Sequence, residues 1–389
     1  MRMIVQFFKK AFLKGDKILL LLCLVASAFG CLMVSSTTNY MGPSRYLTMQ
    51  ILATGLGVLM YLIVSSIDAE LMQEHRNLLV VFNCFLLLLL IPFGTDNATF
   101  NKSWLEFPFL PFQIQPAEIC KITFILIMAS VMTSHQNAPS SPLSVLHLVF
   151  HLGILAGLNM IISTDMGVSL IFVFIFIAMA FAGGVSLFWF LLAGGLLAVG
   201  FPIIWPLLAE HQQNRILVLI DPSIDPNGID ERFHTVRSLR SLTGGGLTGQ
   251  GLFQGNRTQS GALNAQHTDY IFSAIGEELG YLGCIAVVLL LVAIVVRCIW
   301  VGTRSPDYMR RMICFGAAAA LIFQIIINVG MCIGVAPVIG LTLPFISYGG
   351  SSMVTIYAMV GLVSGVYARP SPTSHERYIR PPLPTKPLR

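Results

Sequence analysis

Four sets of ionisable side chains in this sequence are spaced in ways that could do chemistry. In HTDYIFSAIGEELGYLG, Asp269 opens an apolar run and Glu277 and Glu278 follow two to three turns further in. A carboxylate carried into such a run is costly unless it is paired or faces a cavity, and it suits a general base or an oxygen ligand for a divalent cation. The simpler reading is that Thr268 or Asp269 caps the helix. In QIQPAEICK, Glu118 and Lys121 stand three residues apart on one helical face. They either line a substrate cavity or form a self-neutralised pair that holds helices together. Asp165, in STDMGVS between two apolar runs, reads first as an N-cap.

The fourth set is a polar segment over residues 208–270. It sets Arg215, Arg232, Arg237, Arg240 and Arg257 against Glu210, Asp221, Asp225, Asp230 and Glu231. That near-neutral balance argues against nucleic acid, which requires a basic excess. Arginines spread through a glycine-rich stretch suit phosphate, through bidentate hydrogen bonds and exposed backbone N–H groups. GGGLTGQGLFQG lacks the GK[ST] of a Walker A loop, and a hinge or re-entrant turn explains it equally well.

The elements that must position these groups are membrane spans. The chain is 55% hydrophobic and 11% charged with a mean hydropathy of +0.78, whereas soluble domains carry about 25% charged residues. Apolar runs fall near 17–36, 46–67, 77–94, 116–133, 146–163, 167–184, 186–207, 270–297, 310–333 and 350–368. They are long enough to cross about 30 Å of hydrocarbon and do not alternate as barrel strands would. The expected fold is therefore all-α, a polytopic membrane domain over 1–368 with ten helices and one large loop (about 208–269) between helices 7 and 8. A basic, proline-rich tail follows at 369–389. The first run reads as a retained span rather than a cleaved signal. Lys and Arg near 2–17, 297–311 and the tail place both termini in the cytoplasm and the large loop outside, although the acidic 68–76 loop argues weakly against this. The GGVS link at 183–186 predicts a tight helical hairpin. All eight cysteines sit in or beside apolar runs and read as packing residues.

The stretch from Asn328 to Ser352, ending GLTLPFISYGGSS, resembles the signature of the SEDS family of RodA, FtsW and SpoVE. So do QPAEICK after Trp104, HQQNRI with Arg215, and HTDYIFSAIGEELG. The resemblance covers nearly the whole chain and implies a peptidoglycan glycosyltransferase. Such an enzyme polymerises lipid II, an undecaprenyl-pyrophosphate disaccharide pentapeptide, into β-1,4 glycan at the outer face of the bacterial cytoplasmic membrane. A class B penicillin-binding protein is the implied partner. The family's essential aspartate falls on Asp269, its QPSE-x-x-K motif on Gln115, Pro116, Glu118 and Lys121, its loop tryptophan on Trp104, and its GEE pair on Glu277 and Glu278. Substrate contacts are expected as well from Arg215, Arg237, Arg240 and, within the last signature, Ser347. Two departures stand out: Ser103 replaces the expected arginine, with Lys102 as a point-charge substitute, and Ala117 replaces the serine of QPSE. LTGGGLTGQGLFQGNRTQ resembles the RodA branch, which acts in elongation, more than the FtsW branch, which acts in division.

The chemistry of such a reaction is consistent with these residues. An α-linked diphosphate leaving group and a β-linked product require inversion, hence one displacement and one base for the acceptor 4-hydroxyl. Asp269 is the expected base, or the ligand of a Mg or Mn ion serving the same end. Arg215, other loop arginines and Lys121 would offset the charge of the departing diphosphate. The competing readings are a lipid II flippase, which would need polar residues through the full membrane depth, and a silent scaffold for the penicillin-binding protein.

Overall fold

The computed structural model describes residues 11–42, 45–67, 75–96, 102–107, 113–207, 213–214, 217–219, 221–225, 232–263 and 265–369. Every expected apolar run is helical: α1 (Lys17–Thr38), α2 (Arg45–Ser65), α3 (Arg76–Leu88, extended by the turn Leu90–Phe93), α4 (Pro116–Ser134), α5 (Pro142–Ser163), α6 (Met166–Ala182) and α7 (Leu187–Ile204). After the large loop and its own helix, α8 (Phe233–Gly244), come α9 (Ile271–Arg304), α10 (Tyr308–Cys332) and α11 (Gly350–Ala368). Among the described residues eight helices are long and apolar enough to cross a bilayer, and α6 and α7 are shorter apolar helices. The protein is thus a multi-pass helical membrane protein. The proline-rich tail beyond Arg369, and Arg215, lie outside the described residues.

Local chemistry sets the helix starts. Asp16, Ser141, Asp165, Ser186 and Asp307 each accept a first-turn amide of the helix they precede, and Pro142 sits where its missing N–H costs nothing. The GGVS hairpin forms as expected: Gly184 takes φ 86°, and the Val185 amide returns to the Ala180 carbonyl at 3.0 Å. Where lipid supplies no hydrophobic drive, helices associate through small residues. A Cβ on Gly361 would come within 2.8 Å of the Tyr61 carbonyl, and one on Gly365 within 3.0 Å of the Ser65 carbonyl, so α11 lies directly against α2. α4, α10 and α11 form the buried centre, α7 is largely exposed, and α3 and α5 bury few of their residues.

Two features depart from a purely helical reading. Gly94–Asp96 (β1) and Lys102–Leu105 (β2) pair antiparallel, and Leu105 bridges to Ile114, so Trp104 sits on a small hairpin ahead of α4. α9 runs seven residues past its expected end at 297, because Arg297 is not a stop. Its guanidinium donates to both oxygens of the buried Asp16, at 2.8 and 3.1 Å, and covers the Trp300 ring at 4.1 Å. This pair fastens α9 to the start of α1, at the end of the bundle remote from the large loop.

Candidate active site

The site is built around Asp269, just ahead of α9. The helix is capped at Tyr270 without a side-chain bond, and the Thr268 hydroxyl turns back to the Ala265 carbonyl at 3.2 Å, so the capping reading of Thr268 and Asp269 is corrected. The backbone here is clamped from several sides. The Asn328 amide donates to the Asp269 carbonyl at 2.8 Å and to the Leu341 carbonyl at 2.6 Å. The Ser347 hydroxyl donates to the Thr268 carbonyl at 2.6 Å and accepts the Leu343 amide at 2.8 Å, and the Tyr348 amide donates to the His267 carbonyl at 2.8 Å. Ser347 is buried. Its position is that of a strut beneath the turn.

With the backbone fixed, the half-buried Asp269 carboxylate accepts no hydrogen bond from any described residue. It lies over Gly340, at φ 67°, where an added Cβ would come to 3.7 Å of Asp269 Oδ2. Burial, reinforced by the Asp165 carboxylate, pushes the Asp269 carboxyl up to about 6. A group poised there, with its backbone clamped and no hydrogen-bond partner among the described residues, has the properties of a general base at neutral pH.

Asp165 joins Asp269 to the QPAEICK segment. Its Oδ1 caps α6 through the Val168 amide at 3.1 Å, as expected, and its Oδ2 accepts the Gln115 side-chain amide at 3.1 Å. Burial holds the Asp165 carboxyl above the ordinary range despite the Val168 amide, and the Glu118 charge adds to the effect. Lys121 pairs with Glu118 at 2.7 Å, both buried, and Glu118 also accepts the Thr355 hydroxyl of α11 at 2.9 Å. The pair ties α4 to α11 as a self-neutralised structural pair, and its charges act on Asp165. Asp165 was legible in the sequence only as a cap, since nothing in its spacing relates it to position 269.

Glu277 and Glu278 are not brought to Asp269. Glu277 accepts the Arg257 and Thr258 amides, each at 2.9 Å, and so caps the one-turn helix Asn256–Gln259. Glu278 accepts the Ser36 hydroxyl and the Gln259 side-chain amide. Below them α9 breaks at Gly280, whose φ of 70° forfeits the bonds of Tyr281 and Leu282 to Glu277 and Glu278. The glycine-rich segment supplies all four missing partners. Tyr281 and Leu282 donate to the carbonyls of Gly246 and Leu247 at 3.0 and 3.2 Å, while Gln250 and Gly251 donate to those of Glu277 and Glu278 at 3.0 Å. Side chains at Gly245 and Gly249 would sit 1.9 and 2.1 Å from α9 carbonyls, which explains the glycines. The backbone amides of Gln250 and Gly251 are therefore committed to α9 rather than exposed.

The arginines stand apart in role. Arg237 donates to the Ala262 carbonyl at 2.6 Å and lies over the Phe233 ring at 4.0 Å, whereas Arg240 is exposed on α8. α8 is fixed by Ser238, whose hydroxyl donates to the Cys332 carbonyl at 2.6 Å and meets that of Ser273. Trp104 is half-buried on β2; its neighbour Ser103 is buried with an unpartnered Oγ, Lys102 is exposed, and Ala117 is buried in the first turn of α4. No three His, Cys, Asp or Glu residues among those described converge as a metal-binding set.

Fold and site define a polytopic helical membrane protein with a backbone-clamped carboxylate that has no hydrogen-bond partner among the described residues. The family model for FtsW/RodA/SpoVE cell cycle proteins matches residues 16–371, and the chain belongs to that family. It is 29% identical over 315 residues to the peptidoglycan glycosyltransferase MrdB of Escherichia coli K12, covering 80% of this chain and 83% of that one. It is 31% identical over 371 residues to a probable peptidoglycan glycosyltransferase FtsW of Geobacter metallireducens, covering 91% and 95%. Among solved structures, one from a peptidoglycan synthase complex that coordinates polymerization and crosslinking superposes with a TM-score of 0.75 at 27% identity, over 91% of this chain and 97% of that one.

Proposed function

We propose that this protein is a peptidoglycan glycosyltransferase that polymerises lipid II into β-1,4 glycan at the outer face of the bacterial cytoplasmic membrane, with both termini in the cytoplasm. The observation that carries this reading is the Asp269 carboxylate, fixed through its backbone, without a hydrogen-bond partner among the described residues and raised to about 6. Asp269 takes the proton from the acceptor 4-hydroxyl as that oxygen attacks the anomeric carbon. The bond to the diphosphate breaks from the opposite side, and its electron pair leaves with the phosphate oxygen, which gives inversion. Arg215, Arg237 and Arg240 are the cations assigned here to that leaving group, and Arg240 is exposed on α8. Gln115 reaches the site through its bond to Asp165, and Trp104, on β2, is the further residue that this reading assigns to substrate.

Asp269, with no hydrogen-bond partner among the described residues, would be the protein ligand of a divalent cation, the substrate phosphates supplying the others. Magnesium is commonly held by one or two carboxylates together with substrate phosphates, and Asp269 and Asp165 stand within electrostatic reach of each other. When bound there, such an ion would neutralise diphosphate charge. Lys121, already paired with Glu118, contributes to the field at Asp165 rather than a free donor.

A class B penicillin-binding protein is the partner that this reading requires, supported by the likeness to a synthase complex. The glycine-rich run before Asp269 favours an elongation role over division. The test is incubation of purified, detergent-solubilised protein with lipid II, with and without EDTA. Glycan strands from the protein support the enzyme, and their loss on chelation supports the cation. Lipid II crossing liposome membranes with no polymer formed would instead favour a flippase. Neither activity, with the cognate penicillin-binding protein present, would favour a scaffold.

A further inference from the structure

Two residues before Asp269, three aromatic rings from three separate segments meet at one point. Tyr46, from the first turn of α2, lies 4.9 Å from the His267 ring at 56° and 5.1 Å from the Tyr348 ring at 78°. His267 and Tyr348 are 5.7 Å apart at 55°. No two of the rings are parallel, so they form the walls of a corner rather than a stack. Each is half-buried. The corner is rigid, because the Tyr348 amide bonds the His267 carbonyl at 2.8 Å and the Gln50 side-chain amide bonds the Ser347 carbonyl at 3.0 Å.

Its polar edges are unused. Neither phenol hydroxyl has a hydrogen-bond partner among the described residues, and the buried His267 Nδ1 has none either. Burial and the neighbouring Tyr46 push the Tyr348 phenol up, so its hydroxyl remains a donor, while burial lowers His267 and keeps the imidazole neutral. Arg45, exposed beside this corner, adds a cation at the rim.

We propose that Tyr46, His267 and Tyr348 form a saccharide-binding corner that holds a sugar unit of the glycan beside Asp269. A sugar offers an apolar C–H face and a rim of hydroxyl and acetamido groups. Aromatic walls with unpaired O–H and N–H edges match both. Tyrosines at a membrane interface also occur as single anchors around a bundle's perimeter. Here, however, three segments converge, and His267 is joined to Asp269 through Thr268 alone, at most about 7 Å of chain. The inference rests on the reading of the protein as a glycan polymerase and adds to it a place where the polymer is held.

The test uses full-length protein carrying Asp269→Asn, so that no turnover interferes, titrated with a lipid-free β-1,4 amino-sugar oligosaccharide. Saturation transfer from aromatic to sugar protons and a Kd are measured. Adding Tyr46→Ala or Tyr348→Ala weakens binding about tenfold, the loss of one aromatic contact. The Tyr46→Phe and Tyr348→Phe variants keep the ring packing and weaken it about threefold, the loss of one hydrogen bond. In the Asp269 background these tyrosine variants make shorter glycan from lipid II. No oligosaccharide binding, or equal binding in all four tyrosine variants, overturns the corner. Binding that depends on Tyr46, in a protein that makes no glycan from lipid II, would sink the polymerase reading and leave the corner standing.

Discussion

The Ser36 hydroxyl meets both carboxylate oxygens of Glu278, at 2.7 and 2.6 Å, and so joins α1 to the upper part of α9. A pair of acids read from the sequence as substrate groups is here occupied in holding the loop and the bundle together. Glu278→Ala strands the buried Ser36 hydroxyl and the half-buried Gln259 amide. It should cost about 2–3 kcal/mol, seen as a lower melting temperature in detergent. An Asp269 variant should show no such loss.

Gly280 should be among the least replaceable glycines in the chain. An alanine there must hold φ 70° and would place its Cβ 2.4 Å from the Gly249 amide. Strain of about 1–3 kcal/mol plus that clash should collapse the four-bond exchange with the glycine-rich segment. Protease sensitivity of residues 244–255 would report it. Gly153→Ala, with nothing within 4 Å of its added Cβ, should be neutral or slightly stabilising.

At the remote end, Arg297→Met leaves the buried Asp16 carboxylate without its guanidinium. The expected cost is about 3–5 kcal/mol, since a buried charge stripped of its partner is worse than no pair. Replacing both residues together (Asp16→Asn with Arg297→Met) should recover part of that loss, and a double-mutant cycle on thermal unfolding measures how much.

Much of this architecture was legible from residue types. The apolar runs, the GGVS hairpin and the Asp165 cap follow from short-range rules that a sequence displays directly. The break at Gly280 was hidden because GEELGYLG still reads as one helical run. Its cause is the distant backbone of Gly246–Gly251, whose glycines make sense only once α9 lies against them. α8 was absorbed into a polar loop, although SLRSLTG carries the mixed pattern of a half-buried helix. The nearness of Asp165 to Asp269 and the meeting of Tyr46 with His267 are tertiary facts, and no spacing encodes them. The carboxylates at 277 and 278 read as chemical groups because buried acids are rare, but their burial is satisfied by the Arg257 and Thr258 amides and the Ser36 hydroxyl.

The raised Asp269 carboxyl has a pH signature of defined sign. As a base it works only when ionised, so polymerisation should fall with a slope of one as pH drops through about 6. The stability effect runs the other way. A folded-state value above the ordinary carboxyl range means that folding favours the protonated form, so stability is lost as pH rises through about 6. At pH above 7, Asp269→Asn should therefore melt at or above the temperature of the parent protein. Parallel pH–rate and pH–melting profiles check both signs.

The most direct measurement is the rate of glycan formation from purified lipid II by Asp269→Asn beside the parent protein, each shown to be folded by its melting temperature. Removing the base should lower the rate by about 100-fold or more while the fold is retained. Near-parental polymerisation by Asp269→Asn would contradict the assignment of this carboxylate as the group that activates the acceptor.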